Sequence, residues 1–329
     1  MTRFIDLFAG IGGIRLGFEQ AFGNDCQTVF VSEIDSKTQK TYMANFETPF
    51  VIGGDITKIN EKNIPNFDIC LAGFPCQSFS IAGKRNGVND NYNGKNRGVL
   101  FLEIIRICSY HKPKVIFCEN VPGLLTIDKG ETFKNVIKSF ENIGYKVFYK
   151  LLNSKNFGLP QNRKRVYIVA FRNDIAPDNF DFPQERECNS SISDIIEKNP
   201  VPSKYYLSES YLNWCKRHKE RHSKRGNGFG YIVHDLNDIA CSIVCGGMGK
   251  ERNLIVDKRQ TNFENTKSKV NDEFIRKLTP REWARLQGYP ENFVFPSSDT
   301  QTYKELGNSV SVPVIKEIAI LIKKVLDFN

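Results

Sequence analysis

This sequence of 329 residues has few of the side chains on which metal and histidine chemistry depend. It contains four histidines, and its nine cysteines form no CxxC pair. An odd number of scattered cysteines is typical of free thiols in a reducing compartment. His218 and His222 have the helical spacing of a zinc-binding pair, but Lys219 stands where the zinc-protease motif has glutamate. We therefore expect no metal centre.

The sequence also lacks a long apolar run and a leader segment. No apolar stretch approaches the length that spans a membrane, and the opening MTRFIDLF does not have the charged, apolar and small order of a signal peptide. We expect a cytoplasmic protein without membrane contact. The formal charge of +9 favours a polyanionic partner, although many basic proteins bind none.

The first residues predict a nucleotide-binding opening. The segment Arg3–Ala9 has the pattern of a buried strand, Gly10–Gly13 forms a turn, and apolar residues at helical spacing follow. This order brings the backbone and a helix N-terminus close to a ligand. Arg15 stands where the dinucleotide fingerprint requires a third glycine, which disfavours a nicotinamide cofactor.

Acidic residues follow the next two predicted strands. Glu33 comes about twenty residues after the glycines, where a carboxylate can accept hydrogen bonds from ribose hydroxyls. A third strand is predicted at 50–53, and Asp55 after it can accept from an adenine amino group, with Ile56 packing on the ring. Ser36 is predicted to start a helix, Ser36–Phe46, by a capping box with Gln39. Each acid has helix capping as its commoner alternative role.

The stretch FDICLAGFPCQSFS, which begins at Phe67, is the centre of the predicted site. A short buried strand is broken by Gly73 and Pro75, and Cys76 follows at once. A lone cysteine is more often a buried structural residue. Its place in a loop at the carboxyl end of a strand favours a nucleophile instead. Glu119 ends another predicted strand, where partial burial could let it hold a proton near neutral pH.

Charged residues flank this site in the sequence. Arg163 and Arg165 lead into the predicted strand Val166–Phe171 and could clamp a carboxylate or a phosphate together, although surface positions are commoner for such arginines. The polar segment Phe79–Arg97 has no secondary-structure pattern and is predicted to be either a lid that closes on phosphate or a solvated loop.

The second half of the chain predicts a separate module. Residues 187–275 have few buried-strand patterns, and the basic stretch Lys216–Arg225 is interpreted as a solvated helix. Thr279 starts a capped helix, and the final apolar helix Pro313–Leu326 is predicted to return to the first domain. We predict an α/β fold with a first domain at 1–186 completed by 303–329, and a smaller domain at 187–302 that includes a hinge.

Seven short blocks occur in one order: FAGIGG, EID, GDI, PCQS, ENV, QNRKR and GNSV. With them the sequence resembles the DNA (cytosine-5)-methyltransferases, in particular the compact bacterial type of restriction–modification systems. The resemblance covers the chain except residues 187–275, where the family carries a variable target-recognition domain. It implies a Rossmann-like S-adenosylmethionine-dependent methyltransferase domain.

The resemblance also implies a cofactor pocket for S-adenosylmethionine. Its expected residues are Phe8, Gly10, Ile11, Gly13, Glu33, Ile34, Asp55 and Ile56. The methionine end is expected to be enclosed by Pro75, Leu100, Asn308 and Val310. The family often has an aromatic residue at the position of Ile34, so the platform for adenine is thinner here.

The implied chemistry assigns a role to each catalytic candidate. Cys76 would add to carbon 6 of a flipped-out cytosine, because carbon 5 is a poor nucleophile until a thiolate has added. Glu119 would hydrogen-bond or protonate N3, and Arg165 would orient Glu119 and hold the cytosine carbonyl, with Arg163 close by. The expected partner is double-stranded DNA. We expect a monomer that protects host DNA, with a restriction endonuclease acting separately.

DNA contacts are implied for the lid and for the glycine-rich turns within residues 226–256. The candidates are Gln77, Ser80, Lys84, Arg97, Ser242, Gly246, Gly247 and Arg252. The nearest alternative is an RNA (transfer RNA) cytosine-5 methyltransferase, which would have a reduced variable module. A silent DNA-binding regulator should have lost Cys76 or Glu119. The recognised sequence cannot be derived from these residues.

Overall fold

The computed structural model of the protein describes residues 1–75, 100–260, 262–263, 266 and 268–328. The predicted nucleophile Cys76 and the predicted lid lie outside the described residues. The candidate DNA contacts Gln77, Ser80, Lys84 and Arg97 lie outside them too.

The strands of the described residues are β1 (Thr2–Leu7), β2 (Cys26–Ser32), β3 (Ile69–Ala72), β4 (Val115–Asn120), β5 (Tyr145–Asn153), β6 (Gln161–Asn162), β7 (Lys164–Arg172), β8 (Val233–His234), β9 (Ala240–Cys241), β10 (Leu254–Val256) and β11 (Ile275–Lys277). The α-helices are α1 (Gly13–Phe22), α2 (Ser36–Met43), α3 (Leu100–His111), α4 (Glu131–Asn142), α5 (Glu209–Ser223), α6 (Pro280–Leu286), α7 (Asp299–Asn308) and α8 (Val312–Asp327).

The chain divides into two compact units. Unit 1 consists of Met1–Asn153, Lys164–Glu185 and Val312–Asn329, and unit 2 of Ser154–Arg163 and Arg186–Ser311. These bounds differ from the predicted ones, because residues 154–163 and 303–311 belong to unit 2. Residues 161–162 pair with β9, which ties this outlying segment to unit 2.

A six-stranded sheet organises unit 1, in the order β2-β1-β3-β4-β7-β5. The first four strands are parallel, and β7 runs antiparallel to both β4 and β5. Every residue of β3 and β4 is buried, as expected for central strands covered on both faces. The mixed α/β architecture with a Rossmann-like sheet confirms the predicted fold class.

The prediction of a strand at 50–53 was wrong. Gly53 forms only an isolated bridge with Ser32, and Val51 is 90% exposed. A side chain at Gly53 would press on Ile59 and Phe30, at 2.6 and 3.0 Å from a Cβ, so glycine permits the close approach to β2. The apolar residues of this segment therefore do not build a strand of their own.

Two helix predictions have different outcomes. Helix α2 is capped by Asp35, whose Oδ1 accepts from the backbone N–H of Lys37 at 2.9 Å, so the predicted capping box at Ser36 was wrong. The carboxylate of Asp35 accepts hydrogen bonds from the free N–H groups of the first helical turn, so Ser36 is not the N-cap. Helix α8 does belong to unit 1, as predicted: a Cβ on Gly17 of α1 would lie 2.6 Å from Ile315 Cγ2.

Unit 2 contains short strands and a small apolar cluster. Strands β11, β10 and β8 form a three-stranded sheet beside a cluster of Leu207, Leu212, Leu254 and Ile275. The predicted capping box between Thr279 and Glu282 starts α6. Across the described part of the chain, no helix is long and apolar enough to span a membrane, and no group of three or more potential metal ligands is found.

Candidate active site

The candidate site of unit 1 lies where its parallel strands end. Strands β1, β2, β3 and β4 run in one direction, so their carboxyl ends lie along one edge of the sheet. Open α/β sheets bind ligands at this edge. The segments that follow the four strands contain the glycine turn, Glu33, the Gly73–Pro75 turn and the end of β4 at Glu119 and Asn120.

The glycine turn after β1 has an unusual backbone. Phe8 has φ of 56°, Gly10 of 56° and Gly12 of 83°, and a left-handed conformation at phenylalanine is uncommon. A Cβ on Gly12 would collide with the ring of Phe46, which requires glycine there. A Cβ on Gly10 would meet no described atom within 4 Å, so open space lies against this backbone. Gly13 is the first residue of α1, and within the described chain no side chain caps that helix.

Glu33 joins the loops that follow β1 and β2. Its Oε2 accepts from the N–H of Gly10 at 2.9 Å, and its Oε1 accepts from the N–H of Asp35 at 2.8 Å. The carboxylate is half-buried, and each oxygen has a further lone pair. Sequence reasoning placed Glu33 at this edge but did not foresee that it holds the glycine turn.

The three isoleucines of the predicted cofactor pocket differ in exposure. Ile34 is 56% exposed, whereas Ile11 is 1% and Ile56 3% exposed. The side chain of Ile56 belongs to the main core, which argues against its predicted packing on a ring. Ile11 can contribute through its backbone only. Ile34 is therefore the isoleucine available as an adenine platform.

Asp55 caps a helix, which was the alternative role that its sequence position allowed. Its Oδ1 accepts from the N–H of Thr57 at 3.2 Å and from the hydroxyl of Thr57 at 2.7 Å, so it caps the short helix Ile56–Lys58. This fixes the orientation of the carboxylate at the strand edge.

The residues predicted to enclose the methionine end fall into both units. In unit 1, Leu100 packs half-buried against the main core, as does Phe8 of the predicted pocket, and Pro75 is exposed. Asn308 and Val310 belong to unit 2, where Asn308 is exposed at the end of α7 and Val310 is buried.

An ion pair connects two of the catalytic candidates. Arg165 Nε lies 3.2 Å from Glu119 Oε1, and both side chains are about one-tenth exposed, at 11% and 10%. Glu119 lies opposite Tyr167 in the β4–β7 ladder, and Arg165 lies two residues from Tyr167, on the same face. The antiparallel pairing thus explains why arginine and glutamate meet. The prediction that Arg165 orients Glu119 agrees with this geometry.

A buried asparagine links Glu119 to the turn that precedes Cys76. Asn120 donates from Nδ2 to the carbonyl of Phe74 at 3.0 Å and accepts at Oδ1 from the N–H of Val121 at 2.8 Å. It thereby holds the end of β3 against the end of β4. The ENV block predicted no role for this asparagine, although a polar amide at the end of a buried strand is a signal of one.

Arg163 is not beside Arg165, which corrects the prediction. Its guanidinium is buried in unit 2, where it donates to the carbonyl of Ile243 at 2.8 Å and to the carbonyl of Ser309. Arg163 precedes β7 and pairs with residues of its own unit, so the alternation expected within a strand does not apply. Its geometry is that of a positioning residue for the segment at Ser242 and Ile243.

Two further cysteines near the site do not fit a nucleophile. Cys70 in β3 and Cys118 in β4 are fully buried, and burial raises the pKa of both thiols well above the ordinary value. Such thiols stay protonated and unreactive.

The described DNA-contact candidates all lie in unit 2. Ser242 is half-buried and its Oγ lies 3.5 Å from Arg163 Nη1, while Gly246, Gly247 and Arg252 are exposed. This turn lies against α7 because Gly307 has no side chain: a Cβ there would be 2.5 Å from the backbone nitrogen of Cys245. The glycine of the GNSV block therefore has a packing role that its sequence did not reveal.

Comparisons with known proteins agree with this geometry. Residues 2–324 match the profile of a family described as C-5 cytosine-specific DNA methylase. The type II methyltransferase M.HpaII of Haemophilus parainfluenzae is 49% identical over 98% of this chain and 89% of that protein. M.HhaI of Haemophilus parahaemolyticus is 37% identical over 99% of this chain and 96% of that protein. A solved structure of S. pombe Dnmt2 methyltransferase superposes with a TM-score of 0.75 over 99% of both chains, and its 23% identity supports the fold alone.

Proposed function

Because this chain belongs to the C-5 cytosine-specific DNA methylase family, we propose that it methylates carbon 5 of a flipped-out cytosine at a specific site in double-stranded DNA. Its enzyme class is DNA (cytosine-5-)-methyltransferase. The alternative of an RNA methyltransferase is not favoured, because relatives of 49% and 43% identity are type II methyltransferases. By the same likeness we propose that the protein acts in restriction–modification, and we further propose that a separate endonuclease accompanies it and that it works as a monomer.

S-adenosylmethionine, when bound, supplies an electrophilic methyl group on its sulfonium. The residues at the strand edge of unit 1 fit it: the open space at Gly10 admits a ligand against the backbone, and Glu33 can accept from ribose hydroxyls. Ile34 supplies an exposed apolar surface for the adenine, and Asp55 a carboxylate for its amino group. Phe8, Gly13, Pro75 and Leu100 complete the unit 1 part of the pocket.

The Cys76 thiolate adds to carbon 6 of the cytosine, which makes carbon 5 nucleophilic. Glu119 hydrogen-bonds or protonates N3, so that negative charge does not accumulate on the ring. Arg165 holds Glu119 and donates to the cytosine carbonyl. After methyl transfer, loss of the carbon 5 proton and elimination of Cys76 restore the aromatic ring.

The observation that carries this proposal is the Glu119–Arg165 pair, together with the hydrogen bond from Asn120 to Phe74. Phe74 precedes Cys76 by two residues, and Asn120 directly follows Glu119. This hydrogen bond therefore anchors the backbone before Cys76 to the end of β4. Asn120 is thus a positioning residue.

We assign target recognition to the module predicted at 187–302. Ser242, Gly246, Gly247 and Arg252 lie in it, and the exposed glycine turn lets backbone approach a groove closely. Gln77, Ser80, Lys84 and Arg97 remain proposed DNA contacts from the other module. Arg163 is proposed to hold the segment at Ser242 rather than to touch the base.

The proposal is tested by incubating the purified protein with S-adenosylmethionine and unmethylated plasmid DNA, and mapping 5-methylcytosine by sequencing. We expect modification at one short recurring sequence, from wild type and not from Cys76→Ser. In a duplex with 5-fluorocytosine at that position, the fluorine cannot leave as the proton does. Wild type should then form an adduct that survives denaturation, and Cys76→Ser should not. Methylation by Cys76→Ser, or label in transfer RNA instead of DNA, would contradict the proposal.

A further inference from the structure

The second half of α5 carries a dense positive charge that the proposed function does not use. The buried residues of this helix, Leu212 and Cys215, both lie in its first half. From Lys216 to Arg225 every side chain is exposed or half-buried, and the ten residues contain six basic side chains and one acid. This half of the helix therefore faces solvent on most sides.

The three lysines of this stretch already have partners. Lys216 pairs with Glu273, and Lys224 lies 2.7 Å from Glu220. Lys219 Nζ lies 5.0 Å from the centroid of the Tyr231 ring. Their charges are thus partly compensated within unit 2.

The three arginines differ from these lysines. Arg217 and Arg221 lie four residues apart on one face of α5, at about 6 Å from one another, and Arg225 follows in the turn two residues after the helix ends at Ser223. All three are exposed, and none has an ion pair or a side-chain hydrogen bond within the described part of the chain. We call these three residues the arginine stripe.

The helix that carries the arginine stripe is held firmly. Trp214 stacks on Tyr211 at 5.6 Å, and His218 and His222 continue the row of rings, 4.4 Å apart. A Cβ on Gly230 would lie 2.8 Å from Lys219 Cβ, so the chain after α5 passes directly against the helix. The pKa of His222 is lowered, first by burial of its ring and then by the positive charges of His218, Arg221 and Arg225.

Two simpler interpretations explain less. Cations near a helix C-terminus stabilise the helix dipole, but this effect is confined to the last turn, and Arg217 lies six residues before the end of α5. A merely solvated surface does not explain why each lysine has a partner while the three arginines have none among the described residues. A guanidinium can bind a phosphate through two parallel hydrogen bonds, which an ammonium cannot.

We propose that the arginine stripe binds the phosphate backbone of duplex DNA and supplies affinity that is independent of base sequence. This inference rests on the proposed function and adds a contact surface to it. Each phosphate contact releases condensed counterions, so the contact should appear in the salt dependence of binding. It should not affect which cytosine is modified.

The test measures binding to alternating poly(dA-dT) duplex, which contains no cytosine, by fluorescence anisotropy over a series of KCl concentrations. Wild type is compared with R217Q/R221Q/R225Q and with K216Q/K219Q/K224Q. The two variants lose the same formal charge from the same segment, Lys216–Arg225, so they separate specific contact from bulk charge.

For the arginine variant we expect the slope of log Kobs against log[KCl] to fall in magnitude by about 0.9 per lost phosphate, and so by up to about 3. Affinity near 0.1 M salt should then fall about tenfold or more. The lysine variant should change the slope by less than about 1. Methyl transfer by the arginine variant at saturating DNA should keep its site and kcat, while KM for DNA rises.

Equal slopes for the two variants, or no binding of wild type to this duplex at low salt, would overturn the proposal. If the triple arginine variant does not fold, the three single Arg→Gln variants replace it, each with an expected slope change of about 0.9. If wild type methylates DNA but the two variants have equal slopes, only the proposed phosphate binding by the arginine stripe is refuted. Wild type that methylates no DNA would refute the proposed function.

Discussion

The two units place their charged residues in opposite ways. In unit 1 the central strand β3 is wholly apolar, and the carboxylates Glu119 and Glu33 stand at the end of β4 and directly after β2. In unit 2 the charges lie at the centre: Arg276 and Glu282 are fully buried and Asp257 nearly so. The charged residues at the edge of unit 1 belong to the proposed ligand site, whereas the buried charged residues of unit 2 bind one another.

The length of the strands explains this difference. Long parallel strands satisfy one another's backbone groups, so an apolar core suffices. Strands β8, β10 and β11 have two or three residues, which leaves backbone groups for side chains to bond. Asn271 does so: its Nδ2 donates to the carbonyls of Leu207 and Ile275, and its Oδ1 accepts from the N–H of Ile275. Buried polar side chains thus replace part of a sheet.

The largest expected effect is on the rate of methyl transfer, and it tests the role of the carboxylate at the strand edge of unit 1. Glu119→Gln keeps the shape of the side chain but cannot give a proton to N3, so we expect the single-turnover rate to fall by about 10²- to 10⁴-fold. Binding of S-adenosylmethionine should persist. Glu131→Gln, an exposed change on α4, is the matched control and should keep the rate. A rate unchanged in Glu119→Gln would mean that the edge carboxylate is structural.

The next effect tests the interior charges of unit 2. Arg276 binds Glu282 through both terminal nitrogens at 2.8 Å and binds Asp257 through Nε at 2.8 Å. Arg276→Ala leaves two buried carboxylates without this partner, and we expect the free energy of unfolding to fall by about 3–5 kcal/mol. Both tryptophans belong to unit 2, so fluorescence during urea unfolding reports this unit.

Arg259→Ala is the control for that experiment. Arg259 pairs with the same Asp257, at 2.7 Å, but its side chain is 39% exposed. Its loss should lower the free energy of unfolding by at most about 1 kcal/mol. Equal losses for the two variants would break the contrast between interior and surface charge in unit 2.

The smallest effect concerns an exception in unit 1, the fully buried Asp6 of β1. Burial raises its pKa from 3.8 to about 7, opposed by Arg15 and by a hydrogen bond from Tyr42. The folded protein therefore holds a proton that the unfolded chain releases, so this group's contribution to stability is full at low pH and is lost as the pH rises from about 4 to about 7.

Asp6→Asn removes the burial penalty of the charged form. We expect it to raise the free energy of unfolding by about 1–3 kcal/mol at pH 8 and by much less at pH 5, measured by circular dichroism during thermal unfolding. The exposed Asp25 has a lowered pKa through Lys323, so Asp25→Asn should change the free energy of unfolding equally at pH 5 and pH 8, because this carboxylate is ionised in the folded and the unfolded chain at both values. If the effect of Asp6→Asn did not depend on pH, the raised pKa of Asp6 would be contradicted.

Much of unit 1 could be predicted because its signals are local. The run ICLA followed by Gly73 and Pro75 predicts β3 from four consecutive apolar residues and two breakers. The segment at 50–53 has apolar residues too, but only contact with β2 could tell whether they pair. The sequence also could not show whether Asp35 or Ser36 caps α2, because both residue types are good N-caps.

The sequence by itself determined which residue types stand at the strand ends, since buried runs, breakers and the polar residues after them are written in consecutive positions. Only the tertiary structure decided which of them meet. Arg163 and Arg165 are two residues apart, yet one enters the interior of unit 2 and the other pairs with Glu119 across an antiparallel ladder. The physical reason is that strand pairing and burial join residues distant in the chain, and no local pattern encodes that choice.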